Sequence, residues 1–139
     1  MTEKVFFVSG ATDGIGRVTA MELAQTGGQV ILIGRDRAKA ERVVGRIKRD
    51  SGNDRVGFEL ADLSSQSDIR ALAGRLNDSM PHLDVLVNNV GAWFHRRRLS
   101  VDGIEMTFAL NHLGYFLLTG LLLEKLRQAP RARIVNVSS

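Results

Sequence analysis

Residues 5–16 read Val-Phe-Phe-Val-Ser-Gly-Ala-Thr-Asp-Gly-Ile-Gly, an apolar run that leads directly into three closely spaced glycines. A helical pattern with small residues on one face follows. The stretch predicts a strand, a tight turn and a helix, which is the context that a glycine-rich dinucleotide loop requires. A backbone that approaches a pyrophosphate closely has no room for side chains. We therefore expect Gly10, Gly14 and Gly16 to keep the turn tight while the first N–H groups of the helix face the anion.

Outward from this loop, strands and helices alternate to the end of the chain. The apolar runs predict strands at residues 5–8, 29–33, 56–60, 85–87 and 134–137. Helical stripes between them are marked by Gly16, Ala20, Leu23 and Ala24, by Ala40, Val43, Val44 and Ile47, by Ile69, Leu72, Ala73 and Leu76, and by Leu110, Leu113, Leu117 and Leu121. The Gly27-Gly28 pair ends the first helix, and Asp36 caps the second.

Buried strands joined by helical crossovers predict an α/β fold. Because such crossovers are right-handed, we expect a Rossmann-type doubly wound parallel sheet with strand order 3-2-1-4-5, in three α/β/α layers. The whole of residues 1–139 is expected to form one NAD(P)-binding domain. Strand 5 would lie at an exposed edge, and an apolar edge strand favours aggregation unless something pairs with it. We therefore expect either a further C-terminal part or a partner such as a second copy.

Composition restricts the function classes. The 139 residues are 44% hydrophobic and 24% charged, and they include no cysteine. A cysteine-free chain suits a reducing compartment, so a cytoplasmic location is expected. The basic residues behind the net charge of +4 are spread over many segments, and only residues 96–98 form a concentrated run. This pattern does not favour a nucleic-acid partner.

The longest apolar stretch, residues 113–123, is shorter than the roughly 18 residues of a membrane span. His82, His95 and His112 are scattered, so no metal site is expected.

Four segments, in order, resemble the short-chain dehydrogenase/reductase superfamily. Residues 9–16 match its cofactor fingerprint, Asp62-Leu63 its acidic position after strand 3, residues 88–91 its Asn-Asn-Ala-Gly segment, and residues 133–139 the strand that leads to the catalytic serine. Residues 102–105 and 111–119 look most like the retinol dehydrogenase-like branch. The resemblance implies hydride transfer between a nicotinamide cofactor and a small carbonyl or alcohol substrate.

The resemblance also implies a set of site residues. The cofactor-binding set is Gly10, Thr12, Asp13, Gly14, Ile15, Gly16, Arg35, Asp62, Leu63, Asn88 and Gly91. In the family pattern Asp62 would hold the adenine edge and Asn88 would lie by the ribose. Taken alone, however, Asp62 could serve as a turn or helix cap, and Asn88 could satisfy backbone groups at a strand end.

The residue after strand 2 bears on the choice of cofactor. Members that prefer NAD have an acidic side chain at the strand tip, where this chain has Gly34 followed by Arg35. A guanidinium suits a 2′-phosphate, so the sequence favours NADP over NAD, with Arg37 as a second candidate contact.

The catalytic half is only partly present. The resemblance makes Ser139 the catalytic serine, with Ser138 as the alternative, and gives Asn111 the role of holding a water in the proton relay. An asparagine within an apolar helix is costly unless it is hydrogen-bonded. The family's Tyr-x-x-x-Lys segment is missing, because the one tyrosine, Tyr115, is followed four residues later by Thr119. The chain thus reads as the cofactor-binding half of an oxidoreductase, inactive alone. A non-catalytic dinucleotide-binding or interaction module is the alternative.

Overall fold

The computed structural model describes residues 3–138. Its strands are β1 (Val5–Ser9), β2 (Gln29–Gly34), β3 (Val56–Leu60), β4 (Val85–Asn88) and β5 (Arg133–Asn136). Its principal helices are α1 (Gly14–Gln25), α2 (Arg37–Ser51) and α3 (Gln66–Ser79). A last helical run comprises α4 (Met106–Phe108), a π-helical turn (Ala109–Leu113), α5 (Gly114–Leu121) and α6 (Leu123–Arg127).

The five strands form one parallel sheet in the order β3-β2-β1-β4-β5. Strand β1 lies at the centre, where Val8 pairs with Leu32 of β2 and Val87 of β4. The order reverses between β1 and β4, so a crevice opens there at the carboxyl ends of the strands. Ligands bind at such a switch point in open α/β sheets. The predicted fold class and strand order are confirmed.

Both faces of the sheet are covered. Alternate side chains of β1 enter two separate cores, Phe6 and Val8 on one side and Val5 and Phe7 on the other. The first core is closed by small and apolar residues of α1 and α2, and the second by α3 and α5. Because each face buries one row of every central strand, the strands read as continuous apolar runs in the sequence.

Local signals fix where the helices begin and end. Asp36 accepts a hydrogen bond from the Lys39 backbone N–H at 3.1 Å, as expected for the α2 cap. Helix α2 ends at Gly52, which has φ 72°, and α1 is followed by Gly27 with φ 90°. Both glycines adopt the left-handed backbone that other residues rarely adopt.

The last helical run differs from the single regular helix that its leucine stripe predicts. The buried leucines are Leu118, Leu122 and Leu126, whereas Leu117 and Leu121 pack only at the margin of the core. The π-helical turn adds a residue to one turn and so changes the face that follows it. The helix then breaks at Leu122, which has φ −98° and ψ 3°.

Strand β5 is the exposed edge that the sequence predicts. All four of its residues are exposed, and Ile134 and Val135 retain 43% and 44% of their accessible surface. Separately, no helix within residues 3–138 is long and apolar enough to cross a membrane.

Candidate cofactor site

The glycine-rich loop after β1 packs against the segment after β4. A Cβ atom at Gly10 would lie 2.9 Å from Val90 Cα, and one at Gly16 would lie 2.2 Å from the Gly10 carbonyl oxygen. Neither position therefore admits a side chain. A Cβ at Gly14 would instead meet no atom within 4 Å, although its φ of 50° favours glycine. The start of α1 thus opens onto free space, as an anion-binding helix terminus requires.

Ser9 and Asn89 join the ends of β1 and β4. The buried Ser9 hydroxyl accepts hydrogen bonds from the backbone N–H groups of Asn89 and Val90, at 3.0 and 3.2 Å. The Asn89 side-chain amide donates to the Gly10 carbonyl at 3.2 Å. These bonds fix the distance between the loop after β1 and the segment after β4.

A groove of about 600 Å³ follows the switch point. Its walls come from the glycine loop, the segment after β4, the last helical run and the end of β5. The lining residues are Ile15, Asn89, Val90, Gly91, Ala92, Trp93, Asn111, Tyr115, Val137 and Ser138. Ile15 and Trp93 keep 69% and 81% of their surface exposed, so the mouth of the groove is apolar.

Asn111 lies in the π-helical turn and is fully engaged with one neighbour. Its Oδ1 accepts from the Ala92 N–H at 3.1 Å, and its Nδ2 donates to the Ala92 carbonyl at 3.0 Å. The hydrogen bonding that an asparagine needs in this apolar helix is therefore present. The bonds fix the loop that begins at Ala92 against the helix.

Tyr115 connects the two walls of the groove. Its hydroxyl donates to the Val90 carbonyl at 2.5 Å and lies 3.3 Å from the Val137 carbonyl. Burial raises the pKa of this phenol, so it remains a neutral donor near pH 7. Tyr115 thus positions the end of β5 next to the segment after β4.

Asn88 does not face the groove. Its side chain is 1% exposed, and its Nδ2 donates to Thr119 Oγ1 and Asn136 Oδ1 at 3.1 and 2.9 Å. The Nδ2 group therefore holds β4 to α5 and β5, and the contact between Asn88 and a ribose stays a prediction. Its structural alternative, satisfying polar groups at a strand end, describes the observed contacts.

A second, smaller cleft of about 190 Å³ lies at the tip of β2. It is lined by Arg35, Leu60, Ala61, Asp62 and Asp68. The Asp62 carboxylate accepts from the Ser64 N–H and hydroxyl through Oδ1, at 2.9 and 2.7 Å, so it closes a turn as well as facing the cleft. The neighbouring Leu63 is 4% exposed and belongs to the core.

The charged residues after β2 have different partners. Arg37 lies over the Phe58 ring at 5.5 Å and pairs with Glu41 at 3.7 Å, so it points toward β3. Its role as a second cofactor contact stays a prediction. Lys39 instead extends to the glycine loop, where its Nζ lies 2.7 Å from Asp13 Oδ2. Hydrogen bonding and charge from Lys39 lower the pKa of the Asp13 carboxyl.

Four of the eleven expected cofactor-binding residues line either the groove or the cleft. Ile15 and Gly91 line the groove, and Arg35 and Asp62 line the cleft. Gly16 serves packing within the loop. Ser138 lines the groove near Asn111, whereas the predicted serine, Ser139, lies outside the described residues. Within residues 3–138 no group of three or more His, Asp or Glu side chains is placed to hold a metal.

The sequence matches the model of the short chain dehydrogenase family over residues 4–139. The chain belongs to the short-chain dehydrogenase family. Within it, the chain lies in the retinol dehydrogenase-like branch: it is 48% identical over 136 residues to human retinol dehydrogenase 11 and 43% identical over 141 residues to human polyprenol dehydrogenase. These alignments cover 98% and 99% of the chain. The chain spans 43% of the length of either relative.

Solved short-chain dehydrogenases share the fold. The Pseudomonas aeruginosa RhlG/NADP active-site complex superposes with a TM-score of 0.84 at 30% identity, covering 100% of this chain and 56% of that one. A short chain dehydrogenase from Escherichia coli CFT073 complexed with NADPH gives a TM-score of 0.80 at 28% identity, covering 96% and 57%. Both proteins were solved with a phosphorylated nicotinamide cofactor.

Three residues of this site were given no cofactor-binding or catalytic role from the sequence. Ser9 and Asn89 act through backbone groups of the opposite strand end, and Lys39 contacts a residue 26 positions away. Such contacts depend on strand order and loop shape. Only Ser9 and Asn89 carried a local signal, because they lie beside the glycine loop and the Asn-Asn segment.

Proposed function

We propose that this chain is the cofactor-binding half of an NADP(H)-dependent oxidoreductase that acts on a small carbonyl or alcohol substrate. The observation that carries the proposal is the cradle at the start of α1. Gly10 and Gly16 have no room for a Cβ atom, while Gly14 faces open space beside the groove. This arrangement fits a pyrophosphate, because backbone N–H groups can reach the anion without interference from side chains.

The cofactor's residues follow from this position. The backbone of Gly10, Thr12, Asp13, Gly14 and Ile15 would surround the pyrophosphate, and Gly91 would border the path toward the nicotinamide end of the groove. At the other end Asp62 would meet the adenine. Arg35 would contact the 2′-phosphate, because it lies in the cleft at the β2 tip where doubly wound sheets hold the adenosine ribose. These roles favour NADP over NAD.

The chemical step would occur where the groove meets β5. When bound, the cofactor supplies or accepts the hydride. Ser139 would hydrogen-bond the reacting oxygen. Asn111 would hold a water of the proton relay, and its two hydrogen bonds to the Ala92 backbone would fix its position. The Tyr115 hydroxyl is held between the Val90 and Val137 carbonyls and has Thr119, not lysine, four residues later, so the acid or base role is not assigned to it. The groove's apolar mouth, with Ile15 and Trp93, suits an apolar substrate.

The chain alone is expected to be inactive, because the tyrosine and lysine of the family's Tyr-x-x-x-Lys segment do not occur in it. A positioned acid or base typically contributes about 10²–10⁴-fold in rate. A further C-terminal part, or a second copy, would cover the exposed face of β5. A cytoplasmic location also remains a proposal.

The cofactor assignment is tested with Arg35→Ala. NADPH and NADH are titrated by fluorescence against the wild-type chain and the variant. We expect the wild type to bind NADPH more tightly, and Arg35→Ala to erase most of that difference, because a guanidinium recognises the phosphate and not the ribose hydroxyl. Arg42→Ala, on the exposed side of α2, is the matched control and should leave the difference intact. An unchanged ratio in Arg35→Ala would contradict the assignment, and absence of binding to either dinucleotide would favour a non-binding interaction module.

A further inference from the structure

An ion pair bridges the two segments that flank the proposed ribose position. Lys39 Nζ lies 2.7 Å from Asp13 Oδ2, and the two side chains are 37% and 73% exposed. The Lys39 backbone is fixed by its hydrogen bond to the Asp36 cap. The pair therefore joins the glycine-rich loop to the first turn of α2 at a defined position.

This pair lies at the tip of β2. The strand ends at Gly34, where a Cβ atom would lie 3.1 Å from Thr12 Cγ2. The loop residue next to Thr12 is Asp13, so the glycine loop and the strand tip are in direct contact beside the pair. The tip of the second strand is where a doubly wound sheet discriminates between a ribose 2′-hydroxyl and a 2′-phosphate.

One guanidinium is a small counter-charge for a phosphate monoester. Such a group carries about −1.5 to −2 charges at pH 7, and Arg35 shares its cleft with the carboxylates of Asp62 and Asp68. Arg37 is directed to Phe58 and Glu41, on the β3 side. Lys39 is then the cation of the first α2 turn that already reaches toward the loop.

We propose that Lys39 is a specificity-determining residue for the 2′-phosphate, and that Asp13 is its counter-ion in the free protein, displaced by the phosphate on binding. The proposal rests on the proposed function, which places an adenosine ribose at the β2 tip. An exposed ion pair contributes little stability, so its exchange for a more highly charged partner is favourable. A cofactor without the 2′-phosphate leaves the pair of Lys39 and Asp13 in place and gains nothing from it.

The experiment compares Lys39→Met, Asp13→Asn and Lys48→Met with the wild-type chain. Lys48 is in the last turn of α2, about 13 Å further along the helix, so its variant makes the same change in net charge away from the site. NADPH and NADH are titrated by fluorescence. The fragments 2′,5′-ADP and 5′-AMP are titrated by calorimetry, because they report the phosphate without the nicotinamide end.

Lys39→Met should weaken NADPH and 2′,5′-ADP about tenfold, as expected for the loss of one charged hydrogen bond. Its affinity for NADH and 5′-AMP should stay within about twofold of the wild type, which also shows that the variant is folded. Asp13→Asn should tighten NADPH, since the Lys39 ammonium is no longer held and a like charge is removed. Lys48→Met should change none of these affinities.

Two results overturn the inference while the proposed function stands: a Lys39→Met variant that keeps the wild-type NADPH preference, or one that loses NADPH and NADH equally. Weaker NADPH binding by Asp13→Asn would show that the Asp13 carboxylate itself holds the cofactor, which overturns its role as an exchangeable counter-ion. A wild-type chain that binds neither dinucleotide overturns the proposed function and this inference together.

Discussion

At the scale of single residues, the site depends on three glycines, because a side chain at these positions would be strained or would clash. Gly10, Gly14 and Gly16 share one loop but have different requirements. The first and last are closed by backbone atoms of Val90 and Gly10, whereas Gly14 borders open space. A sequence motif does not distinguish these roles, because all three positions read only as glycine.

Gly16→Ala should therefore destabilise the chain. The added methyl would lie 2.2 Å from the Gly10 carbonyl oxygen, and relief of such overpacking typically costs about 1–3 kcal/mol. Gly74→Ala is the matched control, since Gly74 lies within α3 and a Cβ there meets nothing within 4 Å. That variant should gain about 0.4–1 kcal/mol. Urea unfolding followed by circular dichroism measures both, and equal stabilities for the two variants would refute the packing role of Gly16.

At the scale of elements, patterns that depend on near neighbours were predicted well. The five strands, the Asp36 cap and the glycine that follows α1 all agree with the sequence prediction, because each is decided by residues within a few positions. The last helical run was predicted less well. A leucine stripe assumes a constant 3.6-residue period, and the π-helical turn at residues 109–113 interrupts it.

Strand β5 also carries a prediction of self-association. Its unpaired edge exposes Ile134 and Val135, so the chain is expected to associate through this strand. Val135→Lys should reduce association, because an edge lysine opposes pairing with a second strand. Val101→Lys, which makes the same change at a loop residue that is 79% exposed, should not. Light scattering across a concentration series compares them, and a monodisperse wild-type monomer would count against an interacting edge.

At the scale of the whole molecule, the fold brings distant segments to one edge of the sheet. The order β3-β2-β1-β4-β5 sets the glycine loop beside the segment after β4, although 79 positions separate Gly10 from Asn89. A family resemblance predicts that these segments form one site. It did not predict the inward direction of Asn88 or the separate directions of Arg37 and Lys39, since those depend on the packing around each side chain.

The most direct test of the cofactor site is an NMR titration of the ¹⁵N-labelled chain with NADPH. If the start of α1 binds the pyrophosphate, the amide signals of Gly14 and Ile15 should shift together and saturate at one equivalent. The Gly91 amide should shift with them, and that of Gly74 on α3 should not. Saturable shifts confined to residues away from the glycine loop and the groove, or no shifts at all, would contradict the account.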